Sequence, residues 1–321
     1  MGLQNIYKGD NRAILGNVFM CAFIYRPITT DNMKTFSIVS RDGLSLACYH
    51  WMAKNANSPK ALLILIHGIA EHSGRYEYLI EFYNKNNFAI IAMDLRGHGQ
   101  SAGQHGFIPS VEAIFEDLDL LINEAKRIYL YCPAVLYGHS MGGNLVLSYT
   151  LDRYPNKKDQ CPYQALIASS PWIRLARPLQ PPRPIYSLML AACRIRPSTN
   201  VPLHFDPHKI TRDEDIVDSY YNDHTIRRTA TLSLARNVGG MAAKLDRASC
   251  IFHIPVLIQH GHADLITSHK ASFNFSTRGR NIDFKSWDNC YHELHSEPER
   301  EEIFKFTLNW IREKVFLENF F

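Results

Sequence analysis

The sequence of 321 residues lacks a feature that marks proteins which bind nucleic acid. It has no dense cluster of lysine and arginine, and 35 basic against 31 acidic residues leave a formal net charge of only +4. Binding to the phosphates of DNA or RNA requires a concentrated basic surface. We therefore do not expect nucleic acid to be a partner.

The cysteines do not form the patterns that mark a zinc site or a disulfide framework. Seven cysteines, an odd number, are scattered along the chain without a C-x-x-C pair. The segment His292-Glu293-Leu294-His295 is one residue short of the H-E-x-x-H zinc pattern. We therefore predict no metal and a reducing, cytoplasmic location.

The N-terminal region has no hydrophobic run long enough for a membrane-spanning helix. Its longest apolar stretch, Ile14 to Tyr25, is interrupted by Gly16 and Asn17, whereas a spanning helix needs about 20 apolar residues. Basic residues precede this stretch, but no small-x-small cleavage site follows it. We interpret residues 1–33 as a poorly ordered extension, and we expect any contact with a membrane to be transient and peripheral.

What is present is the pattern of an α/β protein. The alternating stretch from Thr35 to His50, with an Arg-Asp-Gly turn in its middle, predicts an antiparallel hairpin at a sheet edge. Continuous apolar runs, such as Ala61 to Ile66 and Phe88 to Met93, are typical of buried parallel strands, and amphipathic stretches separate them. This alternation predicts a mostly parallel central sheet flanked by helices.

The alternation stops at a proline-rich stretch, Arg177 to Pro184, which cannot form a regular helix or a central strand. Short helical pieces follow before the strand patterns resume. We therefore predict an α/β core formed by residues 34–170 and 241–321. An inserted helical cap, or lid, is predicted for residues 171–240.

A candidate nucleophile lies in the segment Gly138-His139-Ser140-Met141-Gly142. An apolar strand precedes this G-x-S-x-G pattern and a helix follows it, which is the context in which the pattern indicates a nucleophilic serine. A serine on so sharp a turn forces close approach of its neighbours, so that glycine is required on both sides. We predict Ser140 as the nucleophile.

A serine hydroxyl needs a base to become a nucleophile. In folds where the serine lies on such a strand-to-helix turn, the acid follows the serine in the chain and the histidine follows the acid. Asp264 and His292 each follow a predicted strand, so both should lie at the edge of the sheet where Ser140 lies. We predict His292 as the general base and Asp264 as the acid that orients it.

Other histidines near these positions have simpler expected roles. Of His260 and His262, which flank the Asp264 loop, we expect one to end a strand and the other to hydrogen-bond locally. His295 is expected to cap or brace the last helix, and His139 to face away from the site. None of them is predicted to be catalytic.

The oxyanion of the reaction needs two backbone N–H donors. Met141 begins the helix after the nucleophile, and Ile69 follows the strand that ends at His67-Gly68. We predict the amides of Ile69 and Met141 as the oxyanion hole. This chemistry needs no cofactor.

With these residues in place, the chain resembles the monoacylglycerol lipase and lysophospholipase branch of the α/β-hydrolases, which is related to the serine aminopeptidases. The resemblance runs from about Lys34 to Arg312 and rests on four blocks and a segment of the cap: His67 to Tyr76, Asp94 to Ser101, Gly138 to Gly143, Tyr291 to Glu297, and Thr211 to Val217.

The resemblance implies the α/β-hydrolase fold, and it implies the same triad and the same oxyanion amides at the positions that match. Two departures stand out. The family usually has glycine where this chain has Ala70, and proline where this chain has His224. The first could shift the oxyanion loop slightly, and the second affects the cap and so the acyl pocket.

The predicted cap is the basic part of the chain. Residues 171–240 contain ten Arg or Lys and six Asp or Glu, a surplus of four that equals the net charge of the whole chain. Such a surface tolerates anionic lipid headgroups or a membrane interface, although the same arginines fit an ordinary solvated surface equally well. Five apolar residues are predicted to line an acyl tunnel: Trp172, Ile185, Leu188, Met189 and Leu190.

We interpret the chain as a serine esterase that hydrolyses single-chain acyl glycerolipids, monoacylglycerol above all, through an acyl-enzyme on Ser140. The substrate is expected to be a lipid or a small ester. A lysophospholipase is the main alternative. An aminopeptidase is disfavoured, because recognition of a free ammonium group needs carboxylates at the pocket mouth. A binding protein without activity is a further alternative, disfavoured because all three triad residues are present.

Overall fold

The computed structural model describes residues 33–56, 58–155, 160–203 and 205–317. The predicted N-terminal extension lies outside the described residues except for Met33, which begins the first strand. Among the described residues, no helix combines the length and the apolar character that crossing a bilayer requires.

An eight-stranded sheet forms the centre of the structure, with the strand order β1-β2-β4-β3-β5-β6-β9-β10. The first pairings, β1 with β2 and β2 with β4, are antiparallel, and the others are parallel. This confirms the predicted edge hairpin and the mostly parallel sheet. The strands are β1 Met33–Val39, β2 Ser45–Trp51, β3 Ala61–Ile66, β4 Phe88–Met93, β5 Ala134–His139, β6 Ala165–Ser169, β9 Ile251–Gly261 and β10 Arg280–Trp287.

Helices cover both faces of this sheet. Side chains of β3 alternate between the two faces, with Leu62 and Ile64 in one apolar cluster and Leu63 and Leu65 in the other. Since every residue of β3 is buried, the strand appears in the sequence as a continuous apolar run. The helices are α1 Glu77–Lys85, α2 Val111–Ile128, α3 Met141–Arg153, α4 Arg183–Ile195, α5 Glu214–Asn222, α6 Leu232–Leu245, α7 His269–Arg278 and α8 Arg300–Ile311.

Residues 171–240, named here the inserted segment, lie between β6 and β9, which are neighbours in the sheet. The segment contains α4, α5 and a small two-stranded antiparallel sheet of β7 Asn200–Pro202 with β8 Thr229–Thr231. The predicted boundary at residue 240 falls inside α6, because the helix continues through Gly239 and Gly240 to Leu245. The division of the chain into a core and a cap remains a prediction.

The parallel strands bring the predicted site residues to one edge of the sheet. Ser140 directly follows β5, Asp264 follows β9 by three residues, and His292 follows β10 by five residues. Because these strands run in the same direction, the segments after them meet at the carboxyl edge of the sheet. The sheet topology thus assembles side chains that lie far apart in sequence.

Candidate active site

The turn between β5 and α3 holds Ser140 in a conformation that few L residues adopt. Ser140 has φ 54° and ψ −114° and is 4% exposed. An added Cβ on Gly138 would lie 2.3 Å from the carbonyl oxygen of Gly142. One on Gly142 would lie 2.2 Å from the carbonyl oxygen of Ile66, so glycine is required at both positions. The turn directs the hydroxyl of Ser140 into a pocket.

The structure brings the three predicted side chains into one hydrogen-bonded chain. His292 Nε2 lies 2.9 Å from Ser140 Oγ, and His292 Nδ1 lies 2.7 Å from Asp264 Oδ2. All three side chains are buried, so bulk water competes little for these bonds. This geometry allows a proton to move from the serine to the histidine while the carboxylate holds the ring.

Asp264 is surrounded by hydrogen-bond donors. Its Oδ1 accepts from the backbone N–H groups of Ile266, at 2.7 Å, and Thr267, at 3.0 Å. Its Oδ2 lies 2.7 Å from His292 Nδ1 and 3.0 Å from His260 Nε2. Burial alone would raise the pKa of this carboxyl, but His292 and these hydrogen bonds outweigh burial and hold the pKa well below its usual range. Asp264 is therefore ionised.

The pKa of His292 also depends on burial and on the neighbouring charge, but here the net effect is to raise the pKa. Burial acts to lower the pKa of the imidazole, but the charge of Asp264 and its hydrogen bond raise the pKa above its ordinary value. A raised pKa means that the imidazolium formed during proton transfer is stabilised. His292 is thus suited to accept a proton and return it.

The predicted oxyanion donors lie beside Ser140. Met141 begins α3, and the first N–H groups of a helix have no acceptor within it. Ile69 lines the same pocket as Ser140. Its neighbour Gly68 lies close to the nucleophile, because an added Cβ there would be 3.2 Å from the Cβ of Ser140. The role of these two amides remains a prediction.

The loop after β3 contains Ala70, one of the two departures from the family pattern. Ala70 has φ 57°, in the left-handed region that favours glycine. Glycine at this position would adopt the conformation without strain, whereas alanine costs about 1–2 kcal/mol. The chain keeps the loop in place through Glu71, whose Oε1 accepts hydrogen bonds from the N–H of Gly68 and from Tyr76 Oη.

Two histidines lie closer to the site than the sequence indicated. The His139 ring lies 4.8 Å from the His292 ring between centroids and lines the pocket, so the prediction that it faces away is wrong. His295 stacks on Tyr76 at 4.3 Å instead of bracing the last helix. Burial lowers the pKa of His295 to about 4 and that of His139 well below its ordinary value, so both are neutral at pH 7. No spacing rule predicted either contact.

A buried charge cluster beside His292 was also missed. Arg75 Nη2 donates to both carboxylate oxygens of Glu293, at 2.8 and 2.9 Å, and Arg75 Nε lies 3.4 Å from Glu71. Burial raises the pKa of Glu71 to about 7, with a further contribution from the charge of Glu293. For Glu293, Arg75 outweighs burial and lowers the pKa. The carboxylates and His295 have the atom types of a metal site, but Arg75 already supplies their positive charge.

The pocket over Ser140 has a volume of about 360 Å³, part of it open to solvent. Its lining includes three residues of the inserted segment, Phe205, Ile210 and Tyr220. None of the five residues predicted to form an acyl tunnel lines this pocket. The prediction is wrong, because Ile185 and Leu188 are exposed on α4, and Trp172, Met189 and Leu190 are partly buried outside this pocket.

The Ile185 and Leu188 side chains are 51% and 70% exposed. The amino-acid pattern of α4 indicates an apolar face on this helix. It does not indicate whether that face lies against the pocket or is exposed to solvent.

A family model described as serine aminopeptidase, S33 matches residues 57–299 of this chain. Among curated proteins, the chain is similar to an uncharacterized abhydrolase domain-containing protein of Dictyostelium discoideum, with 32% identity over 282 residues. That match covers 87% of this chain but only 29% of the length of the Dictyostelium protein.

Two bacterial enzymes match over most of their own lengths. Monoacylglycerol lipase of Mycolicibacterium smegmatis is 26% identical and covers 79% of this chain and 88% of the relative. Phospholipase YtpA of Bacillus subtilis is 27% identical and covers 78% of this chain and 94% of the relative. Among solved structures, the monoacylglycerol lipase of Paleococcus ferrophilus superimposes with a TM-score of 0.72 at 28% identity, over 85% of this chain and 99% of that one.

Proposed function

This chain belongs to the serine aminopeptidase, S33 family of α/β-hydrolases, and on that premise we propose that it hydrolyses the ester bond of single-chain acyl glycerolipids, monoacylglycerols above all. It is a serine hydrolase of the lipase or esterase type. The observation that carries the proposal is the hydrogen-bonded chain from Ser140 through His292 to Asp264, with distances of 2.9 and 2.7 Å.

In the proposed mechanism, Ser140 Oγ attacks the ester carbonyl carbon while His292 Nε2 takes the hydroxyl proton. The amides of Ile69 and Met141 stabilise the oxyanion, and each such donor typically contributes about 2.7–4 kcal/mol. His292 then gives the proton to the leaving glycerol oxygen, which breaks the ester bond and leaves an acyl group on Ser140. Water, deprotonated by His292, attacks the carbonyl carbon of this acyl-enzyme. The bond to Ser140 Oγ breaks, His292 returns the proton to Oγ, and the fatty acid is released.

The charges near the pocket favour a neutral leaving group over a substrate with a free ammonium group. Glu71 and Glu293 line the pocket, but Arg75 contacts both carboxylates. The trio has a net charge between 0 and −1, depending on whether Glu71, with its pKa of about 7, is protonated. A subsite for an α-ammonium group needs carboxylates without a cationic partner, so an aminopeptidase activity is disfavoured.

A lysophospholipase activity is the second candidate. The phospholipase relative from Bacillus subtilis supports it, as does the surplus of four positive charges in residues 171–240. A lysophospholipid carries a single acyl chain and a phosphate, so the same esterolytic chemistry applies, while the basic segment attracts the phosphate.

We also propose transient contact of a cytoplasmic enzyme with a membrane surface through α4. Leu188 of this helix is 70% exposed and Ile195 is 82% exposed. The exposed Arg183, Arg194 and Arg196 have no acidic partner among the described residues. Apolar side chains next to free arginines match the interface of a membrane that contains anionic lipids.

The test is hydrolysis of a substrate panel by the wild type and by Ser140→Ala. The panel contains monoacylglycerols, lysophospholipids, short p-nitrophenyl esters and aminoacyl amides. Ser148→Ala is the matched control, because Ser148 lies on α3 and, among the described residues, its hydroxyl has Asn144 as its one hydrogen-bond partner, at 3.4 Å. We expect monoacylglycerol hydrolysis to dominate, to fall by a factor of at least roughly 10⁴ in Ser140→Ala, and to persist in Ser148→Ala.

Other outcomes separate the alternatives. Faster turnover of lysophospholipid would select the second candidate, and cleavage of aminoacyl amides would select a peptidase. Full activity in Ser140→Ala would refute the assignment of the nucleophile. If the wild type cleaves none of these compounds, a binding protein without activity becomes the better interpretation.

A further inference from the structure

A second histidine contacts the carboxylate of Asp264. His260 lies near the end of β9 and is fully buried. Its Nε2 lies 3.0 Å from Asp264 Oδ2, the same oxygen that lies 2.7 Å from His292 Nδ1. Two imidazole N–H groups therefore share one carboxylate oxygen. The proposed mechanism accounts for His292 but gives His260 no part.

The other ring nitrogen of His260 has a partner that determines its tautomer. His260 Nδ1 lies 2.9 Å from Ser272 Oγ on α7, and Ser272 is fully buried. A serine hydroxyl can donate to an unprotonated Nδ1. A neutral His260 then has its hydrogen on Nε2 and donates it to Asp264. The two contacts of the ring thus orient one donor toward the carboxylate.

We propose that His260 is a positioning residue of the hydrolytic site, which holds Asp264 by a second imidazole N–H donor and limits how strongly Asp264 stabilises protonated His292. The inference rests on the proposed function, because it takes Ser140, His292 and Asp264 as the working triad. A carboxylate that accepts an additional hydrogen bond is less basic. Without His260, Asp264 would attract the proton of His292 more strongly but would be less well oriented.

One further donor reaches the same oxygen, because Thr267 Oγ1 donates to Asp264 Oδ2 at 2.8 Å. The His269 ring on α7 lies 5.6 Å from the His260 ring between centroids, and it has its own partner in Ser286 Oγ at 2.9 Å. Around His260, the polar and titratable neighbours are Asp264, Thr267, His269 and Ser272. Around His292, they are Ser140, Asp264, Thr267, His139, His295, Glu293, Glu71 and Arg75.

The experiment compares His260→Asn with His260→Gln. Glutamine can place an amide N–H near the position of Nε2, whereas asparagine is too short to reach Asp264. His269→Asn is the matched control, since it removes a neighbouring imidazole that does not contact Asp264. For each protein, kcat, KM and the rate at which a fluorophosphonate labels Ser140 are measured between pH 5 and pH 9 on a p-nitrophenyl ester.

For His260→Asn we expect kcat to fall roughly tenfold with KM little changed, which corresponds to loss of one hydrogen bond to a charged group. The acidic limb of the kcat/KM profile and of the labelling rate should move to higher pH by roughly half a unit or more. His260→Gln should restore both properties toward the wild type, and His269→Asn should leave the limb in place. Ser272→Ala should move the limb in the same direction by less.

An acidic limb that stays in place in both His260→Asn and Ser272→Ala would overturn the inference, as would equal shifts in His260→Asn and His260→Gln. If His260→Asn does not fold, as judged by circular dichroism, an unshifted limb in Ser272→Ala alone would overturn it. A wild type that fluorophosphonate does not label would refute the proposed function and the inference together. Labelling of the wild type with unshifted variants would refute the inference alone.

Discussion

Two parts of the inserted segment differ in how they relate to the rest of the molecule. The inner part, residues 210–223, is joined to the loops around the candidate active site by buried hydrogen bonds. The outer helix, α4, has only Cys193 buried and presents apolar residues and arginines to solvent. Within one segment, the inner part therefore packs against the candidate site, whereas the outer helix is largely exposed.

The inner part holds the loop that contains His292. The carbonyl oxygen of Ile210 accepts a hydrogen bond from the N–H of Glu293 at 2.8 Å. Thr211 Oγ1 donates to the carbonyl oxygen of Ser296 at 2.9 Å, and Arg212 Nε donates to Glu297 at 2.7 Å. The segment from Thr211 to Val217, which resembles a block of the family, therefore has a structural task next to the candidate base.

The inner part also contacts the segment that follows β3. His72 Nε2 lies 2.8 Å from Asp223 Oδ2, and the guanidinium of Arg75 lies 4.8 Å from the centroid of the Tyr220 ring. The inner part thus joins two loops that lie more than 200 residues apart in the sequence. A lid that moved as a whole would break these bonds, so we expect motion of the inserted segment to be confined to its outer helix.

The largest expected effect follows from breaking the inner part at Arg212. In Arg212→Leu, the carboxylate of Glu297 remains buried without its cationic partner. Loss of one partner of a buried pair costs about 3–5 kcal/mol, and because Arg212 is about a third exposed we expect about 2–4 kcal/mol. Urea unfolding measures this change.

Arg194→Leu on the outer helix is the control for Arg212→Leu. Arg194 is exposed and has no acidic partner among the described residues, so its replacement should change the free energy of unfolding by no more than about 0.5 kcal/mol. Equal effects of the two substitutions would contradict the contrast between the inner part and the outer helix.

A smaller effect, with a distinct pH dependence, is expected for Asp223→Asn. Burial raises the pKa of Asp223, but the hydrogen bonds from His72 and Thr225 outweigh it and hold the pKa well below its ordinary value near 3.8. A lowered pKa in the folded state contributes stability that is present above about pH 4 and is lost as the pH falls through the folded pKa. The substitution should cost about 1–2 kcal/mol at pH 7.

Thermal unfolding of the wild type and Asp223→Asn between pH 7 and pH 2.5 tests this expectation. The difference in stability should shrink as the pH falls below about pH 4. Asp218→Asn on the exposed side of α5 is the control and should show no such trend. A difference that grows as the pH falls below about pH 4 would refute the proposed role of Asp223.

The smallest effect on stability is expected on the outer helix. The double substitution Ile185→Ser and Leu188→Ser should leave the free energy of unfolding within about 0.5 kcal/mol of the wild type. Sedimentation with vesicles that contain anionic lipid should show binding reduced by roughly tenfold or more, because burial of each such side chain contributes about 1.5–3 kcal/mol.

Ile251→Ser provides the control for this comparison. Ile251 is 52% exposed but begins β9, outside the inserted segment. Its replacement should leave vesicle binding unchanged. If the double variant binds vesicles as well as the wild type does, α4 is not the membrane-contacting surface.

Much of the central fold was predictable, because local pattern and burial agree there. The apolar run Ala61–Ile66 forms a strand that is buried on both faces, and the pattern around the Arg-Asp-Gly turn forms the edge hairpin. The outer helix shows the limit of this reasoning. An amphipathic pattern defines the apolar face of α4, but the neighbours of that face depend on how the inserted segment packs.

The sequence by itself determined a mostly parallel sheet, the strand-turn-helix around Ser140 and the placement of Asp264 and His292 after strands, because each depends on local rules of burial, glycine geometry and strand ends. Only the tertiary structure decided that His260 shares the carboxylate of Asp264, and that Arg212 and Asp223 hold the loops of the site. The physical reason is that these contacts join segments distant in sequence, and a buried polar group finds its partner through packing and not through spacing.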